Sequence, residues 1–141
     1  SMAAWDGIPE AERPFQRRLM EVYAGFLEHT DYHAGRLIDA LEDLEILDDT
    51  LIYYITGDNG ASGEGGPDGS VNEMLFMNGI PDNIDTNLAM LDELGGPKTY
   101  NHYPNGWAMA FNTPFKMWKR YEFNGGTSDP CIIAWPAGSW S

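Results

Sequence analysis

The chain has 141 residues, with 8 basic against 22 acidic side chains, a net charge of −14, 43% hydrophobic and 21% charged residues. That length fits at most one domain, and the composition is that of an ordinary soluble globular sequence rather than a disordered one. The acidity argues against a nucleic acid or an anionic membrane held by bulk charge, but not against an anionic small molecule, because a cation or a few Lys and Arg side chains can reverse the field inside a pocket.

No run approaches the ~18 apolar residues of a membrane span, and no basic, apolar leader opens the chain. A soluble protein with no membrane and no nucleic-acid partner is therefore expected, its compartment left open. Residues 1–4 read as an added remnant and linker ahead of the natural sequence. From Phe15 through Leu19, Val22, Tyr23, Phe26, Leu27, Thr30, Ala34, Leu37, Ile38 and Leu41, three- and four-residue spacings predict one long amphipathic helix over 14–44. At ~1.5 Å per residue it runs on the order of 40 Å. Pro14 suits its first turn, where a missing N–H costs nothing. The acidic cluster Glu42, Asp43, Glu45, Asp48 and Asp49 opposes the dipole at its end, which implies a short second turn.

The run Leu51-Ile52-Tyr53-Tyr54-Ile55-Thr56 is β-branched and aromatic without polar alternation, and predicts a strand at 51–56 covered on both faces, as in α/β sheets. Helix, tight connection and strand make half of a βαβ unit. The strand delivers Gly57-Asp58-Asn59-Gly60 to the crevice where α/β folds bind ligands, and two hard oxygen donors there suit Ca²⁺ or Mg²⁺. The same tetrapeptide also serves as plain turn chemistry, with Gly supplying positive φ and Asx side chains bonding nearby backbone.

Residues 60–106 are punctuated by Gly and Pro, and predict a long irregular excursion of the kind that is usually functional or a lid. One short helix is expected between Asp85 and Leu94, capped by Asp85 or an adjacent residue and stopped by Gly95-Gly96. Cys131-Ile132-Ile133-Ala134-Trp135 reads as a second buried strand at 131–135, with Cys131 in the core. A single cysteine gives no disulfide framework and no zinc motif. The fold class expected is α/β, and strands of this kind need neighbours on both sides, so the chain reads as a slice of a larger α/β domain.

Thr56-Gly57-Asp58-Asn59-Gly60 after an apolar strand, preceded by Tyr32-His33-Ala34-Gly35-Arg36-Leu37-Ile38-Asp39-Ala40-Leu41 on a helix, resembles the type I sulfatase family. Thr113-Pro114-Phe115-Lys116-Met117-Trp118-Lys119, followed by Gly125-Gly126, Asp129-Pro130 and a strand ending Trp135-Pro136, is similar to the same family. Tyr100-Asn101-His102-Tyr103-Pro104-Asn105-Gly106-Trp107-Ala108-Met109-Ala110 resembles its bacterial arylsulfatase branch, and the register holds from residue 5 to residue 138.

The resemblance implies an alkaline-phosphatase-like fold and hydrolysis of small-molecule sulfate esters, a sulfuric ester hydrolase activity. It implies a formylglycine nucleophile made from a Cys or Ser in a Cys-x-Pro-x-Arg context, and a divalent cation, usually calcium. Asp58 and Asn59 match two of the metal ligands, and Lys119 matches the lysine that contacts a sulfate oxygen. Carboxylate and amide oxygens suit Ca²⁺, and an ammonium neutralises charge on the sulfuryl group. Cys131 is followed by Ile132-Ile133-Ala134 and so does not match the formylglycine precursor. The paired N-terminal acidic ligands, the nucleophile and its arginine have no counterpart here. The chain is thus expected to be a partial sulfatase domain, inactive alone, whose partner is the remainder of that domain.

Lys116 is the second candidate for the sulfate contact, with a solvated basic face formed by Lys116, Lys119 and Arg120 as the plain alternative. His102, in an aromatic loop with Tyr100, Tyr103 and Trp107, is a candidate wall or proton donor at the substrate mouth, against plain loop packing. His29 and His33 have a chelating i, i+4 spacing without a third ligand, which favours a surface role. Two other functions stay open: a phosphodiesterase or phosphonate monoester hydrolase of the same superfamily, and a non-catalytic acidic module binding calcium or a protein. Self-association through uncovered strand edges is a further expectation.

Overall fold

The computed structural model describes residues 2–138; Ser1, at the head of the expected added remnant, and residues 139–141 lie outside them. After a turn of 3₁₀ helix at Trp5–Gly7, helix α1 runs Arg13–Asp43 with Pro14 in its first turn. Strand β1 is Ile52–Ile55, followed by α2 (Met74–Met77), α3 (Ile84–Ala89), a 3₁₀ turn at Leu91–Glu93, α4 (Asn105–Phe111), α5 (Asn124–Thr127) and β2 (Cys131–Ala134).

Helix α1 ends in a Schellman arrangement. Ile46 N–H reaches the Leu41 carbonyl at 3.1 Å and Glu45 N–H the Glu42 carbonyl at 2.8 Å, with Glu45 at φ +58°. Those bonds satisfy carbonyls that the helix leaves open, in a conformation usually given to Gly. Only Phe15, Gln16 and Leu19 of α1 are buried. The apolar stripe continues beyond them, but Phe26, Tyr32, Leu37 and Ile38 are exposed among the described residues.

The sheet corrects three expectations. β1 and β2 pair antiparallel, Ile52 opposite Ala134 through Ile55 opposite Cys131, rather than as parallel-type neighbours. The sheet has two strands among the described residues and is not covered on both faces as foreseen: Tyr53 and Ile55, on one face of β1, are each 59% exposed. Cys131 is exposed rather than in the core, because among the described residues no layer packs over β2. A continuous apolar run reports that a strand is meant to be covered, and carries no information about which element covers it.

The 60–106 segment is more ordered than a loop. Antiparallel bridging of Ser70 with His102 and parallel bridging of Asn72 with Tyr100 close it on itself, and α2 and α3 lie inside. The helix expected over Asp85–Leu94 is α3 followed by the 3₁₀ turn, and its cap is Asn83, whose side chain accepts from Thr86 N–H at 3.0 Å. The core gathers Phe15 and Leu19 of α1, Leu94, Tyr103, Ala108 and Trp118. Full burial of side chains like Phe15 and Leu19 stabilises by about 1.5–3 kcal/mol each. Tyr23 stacks on Phe111 at 4.6 Å between centroids, and Tyr103 meets both edge-on at 4.9 and 5.0 Å, a geometry that adds to area burial. The helix N-terminus and the glycine-rich segment thus share a core, and the sheet lies outside it.

Candidate functional site

The loop leaving β1 is fixed by backbone contacts to the segment 112–130. Thr56 N–H donates to the Pro130 carbonyl at 3.3 Å, Gly60 N–H to Gly126 at 3.1 Å, and Lys119 N–H to the Ala61 carbonyl at 2.9 Å. Ala61 N–H in turn donates to Asn112 Oδ1 at 3.1 Å. The polypeptide carrying Asp58 and Asn59 is therefore bonded to the polypeptide carrying Lys119 within two residues of Asn59.

Asp58 is exposed and Asn59 half-buried. Asn59 Nδ2 donates to Asp58 Oδ1. With the amide nitrogen directed at the carboxylate, the amide oxygen and Asp58 Oδ2 are the hard donors this pair can offer a cation, a donor set that suits Ca²⁺ or Mg²⁺. Gly57, at φ +112°, stands against the Asp129 carboxylate; a β-carbon there would lie 3.3 Å from Asp129 Oδ1. Asp129 Oδ2 is buried without a hydrogen-bond partner. An orphaned carboxylate oxygen beside Gly57 is compatible with a positive charge nearby. Among the described residues, no three His, Cys, Asp or Glu side chains converge as a complete metal-binding group.

Lys119 is bracketed by backbone in the left-handed region, Met117 at φ +67° and Arg120 at φ +84°. Such residues cost of order 1–3 kcal/mol each and persist where surrounding contacts impose them. The Gly125 and Gly126 backbone supplies those contacts, packing against the carbonyls of Lys116, Met117, Trp118 and Tyr121. Lys119 Nζ lies 3.8 Å from Glu64 Oε1, and Arg120 Nε lies 3.7 Å from the same oxygen. Glu64 is 8% exposed, and its Oε2 has no hydrogen-bond partner.

His102 faces that carboxylate from the other side, Nε2 3.9 Å from Glu64 Oε2 and 4.0 Å from Glu73 Oε2. Its Nε2 meets Ser62 Oγ at 2.8 Å. Nδ1 accepts from Gly65 N–H at 3.1 Å in one tautomer and donates to the Tyr103 carbonyl at 2.8 Å in the other. His102 is 8% exposed and ties the 62–65 loop to the 102–103 segment. Burial pushes the Tyr103 phenol well above its usual value, with Tyr23, Glu64 and Glu73 adding to the effect and the Ser62 backbone opposing it.

Lys116 is exposed beside Pro114, Phe115, Glu122, Phe123 and Asn124 in a separate depression. His29 and His33 lie on the exposed side of α1 with Nε2 atoms 3.2 Å apart, and Arg36 contacts His33 Nδ1 at 3.2 Å. The structure thus brings Lys119 and His102 to one buried acid, and leaves Lys116 and the histidine pair apart from it. Sequence reasoning passed over Glu64 and gave Asp129 no role beyond its place in the Asp129-Pro130 motif. The signal for Glu64 was an acid set among Gly63, Gly65 and Gly66, where a loop can press close to its neighbours.

The profile of the sulfatase family matches residues 3–139. An uncharacterised sulfatase of Schizosaccharomyces pombe is 32% identical over 133 residues, covering 94% of this chain and 23% of that protein. An arylsulfatase of Klebsiella aerogenes is 23% identical over 133 residues, covering 94% of this chain and 27% of that protein. The chain spans about a quarter of the length of these curated relatives.

Proposed function

The chain belongs to the sulfatase family, a family of hydrolases, and from that premise we propose that it carries one part of a site for sulfate-ester hydrolysis. The observation that carries the reading is the bonding of the Asp58–Asn59 loop to the Lys119 segment, through Lys119 N–H to Ala61 at 2.9 Å and Gly60 N–H to Gly126 at 3.1 Å. It places the backbone carrying two hard oxygen donors and the backbone carrying an ammonium in one hydrogen-bonded unit.

In this reading Asp58 and Asn59 hold a divalent cation, Ca²⁺ or Mg²⁺. The cation, when bound, draws charge from the sulfate oxygens. Lys119 turns its ammonium to a sulfate oxygen and offsets the charge that grows there and on the leaving oxygen. Lys116 is the reserve contact, and His102 orders the loop from which Glu64 faces Lys119. The substrate class is a small-molecule sulfate ester, aryl esters included. The formylglycine nucleophile belongs to other parts of the protein, since Cys131 lies in β2 outside any Cys-x-Pro-x-Arg context.

The partner of this chain is the remainder of the same domain. Tyr53, Ile55, Ile132 and Ile133 on the sheet are exposed, and the curated relatives are about four times as long as the matched segment.

Calcium titration followed by thermal melting tests the reading. Calcium takes about six to eight oxygens, so the chain alone is expected to gain no stability below about millimolar metal. Stoichiometric stabilisation at micromolar calcium, abolished by Asp58→Ala, marks a self-sufficient calcium-binding module and overturns it.

A further inference from the structure

We propose that Glu64 is a positioning residue for Lys119. The inference rests on the assignment of Lys119 as the sulfate contact and concerns what aims it. Glu64 is driven inward by its glycines: a β-carbon on Gly63 would overlap the Trp118 indole, and one on Gly65 would overlap the Tyr103 carbonyl. Only a chain without side chains on either side of the acid can press this close, so the carboxylate ends up 8% exposed with Oε2 unpartnered. A buried carboxylate in that state is costly unless charge answers it. Lys119 and Arg120 answer it at 3.8 and 3.7 Å, and the His102 ring lies 3.9 Å away.

Those separations are ion-pair distances and exceed hydrogen-bond distances. The ammonium is therefore attracted to Glu64 without surrendering its N–H donors, which stay available to an incoming oxyanion. Arg120 has a second anchor, its guanidinium lying 4.8 Å from the Phe76 ring centre. The Lys119 side chain is 42% exposed, and among the described residues its ion-pair partner is Glu64. Glu64 reaches Lys119 from the same 60–65 loop whose Ala61 carbonyl holds the Lys119 backbone at 2.9 Å. Main chain and side chain of the lysine are thus referenced to a single loop that begins at the Asp58–Asn59 pair.

The test is a titration of inorganic sulfate into the 141-residue chain at constant ionic strength, reading the ¹³Cε signal of Lys119 and the melting temperature. Wild type, Glu64→Gln, Glu64→Asp and Lys119→Met are compared. Simple charge bookkeeping says that removing an anion beside an anion site tightens sulfate binding; positioning says the opposite. The expected result is saturable wild-type binding on the order of millimolar, a loss on the order of fivefold in Glu64→Gln, and an intermediate value in Glu64→Asp, which keeps the charge on a shorter arm. Unchanged or tighter binding in Glu64→Gln, whatever its melting temperature, overturns the inference. Should that variant not fold, Glu64→Asp with wild-type affinity and a wild-type Lys119 signal overturns it equally. If Lys119→Met leaves sulfate binding as it was, or wild type does not respond to sulfate, the lysine assignment itself fails.

Discussion

Gly60 and Gly125 pack backbone against backbone, so that a β-carbon at residue 60 would overlap the Gly125 carbonyl oxygen. No flexible side chain stands there to move aside. Gly60→Ala is therefore expected to destabilise the chain by about 1–3 kcal/mol and to loosen the loop that carries Asp58 and Asn59. Gly35→Ala, with nothing within 4 Å of the added carbon, is the matched control. It is expected to stabilise α1 by roughly 0.5–1 kcal/mol. Urea denaturation of the two variants checks both signs, and equal midpoints would remove the claim that Gly60 is a contact glycine.

Under the proposed function, the basic cluster yields a prediction for an active enzyme that carries this segment. Lys119→Ala should lower kcat for an aryl sulfate ester by roughly 10²–10³, with a smaller effect on KM, because an ammonium on the developing charge matters most in the transition state. Lys116→Ala, in its separate depression, should change either constant by about twofold or less. Steady-state kinetics on the pair distinguishes the two lysines, and the reverse ranking would transfer the role to Lys116.

Tyr103 gives the stability a defined alkaline limit. Its phenol is held above the usual value of 10.0, chiefly by burial, and that of Tyr23 is raised for the same reason. A group whose folded value lies above the unfolded one contributes stability that is complete below pH 10 and declines as pH climbs toward the folded value. Above pH 10 the slope from Tyr103 approaches about 1.4 kcal/mol per pH unit. Denaturant midpoints measured from pH 9 to 11 should fall, and Tyr103→Phe should fall less steeply. Parallel curves for the two proteins would contradict the assignment.

The sheet predicts behaviour in solution. Tyr53, Ile55, Cys131 and Ile133 project from one face of the β1–β2 pair, where paired residues share a side, and Tyr53, Ile55 and Ile133 are large exposed apolar groups. Apolar faces and unpaired edges of this sort associate. Sedimentation of the chain should show average mass rising with concentration, and Ile55→Lys should shift that rise to severalfold higher concentration. A clean monomer at high concentration in both proteins would show that the face is not adhesive.

Much of the local structure was legible because it depends on neighbours in sequence. The apolar spacing from Phe15 to Leu41 lies within α1, and the β-branched residues Ile52 to Ile55 and Cys131 to Ala134 lie within the two strands. The pairing of those strands was not legible. Ile52 and Ala134 are opposite each other across the whole intervening excursion, and apolar runs say nothing about direction or partner. Cys131 illustrates the same limit: its neighbours are apolar, yet exposure depends on a layer absent from the described residues. Asp58, Asn59 and Lys119 were marked by motif, whereas the acid that faces Lys119, Glu64, was hidden in a glycine-rich run that reads as a flexible loop. What fixes Glu64 is contact with Trp118, Tyr103 and His102, and none of these is near it in sequence.

The solvent-facing thiol of Cys131, opposite Ile55 on β2, is the chain's one cysteine, and that gives the molecule a built-in reporter. A maleimide dye attached there sits on the bare sheet at a single known position. Its emission would shift toward the blue when another polypeptide lies over that surface, so the fluorescence of one label would report the proposed covering of the sheet in real time.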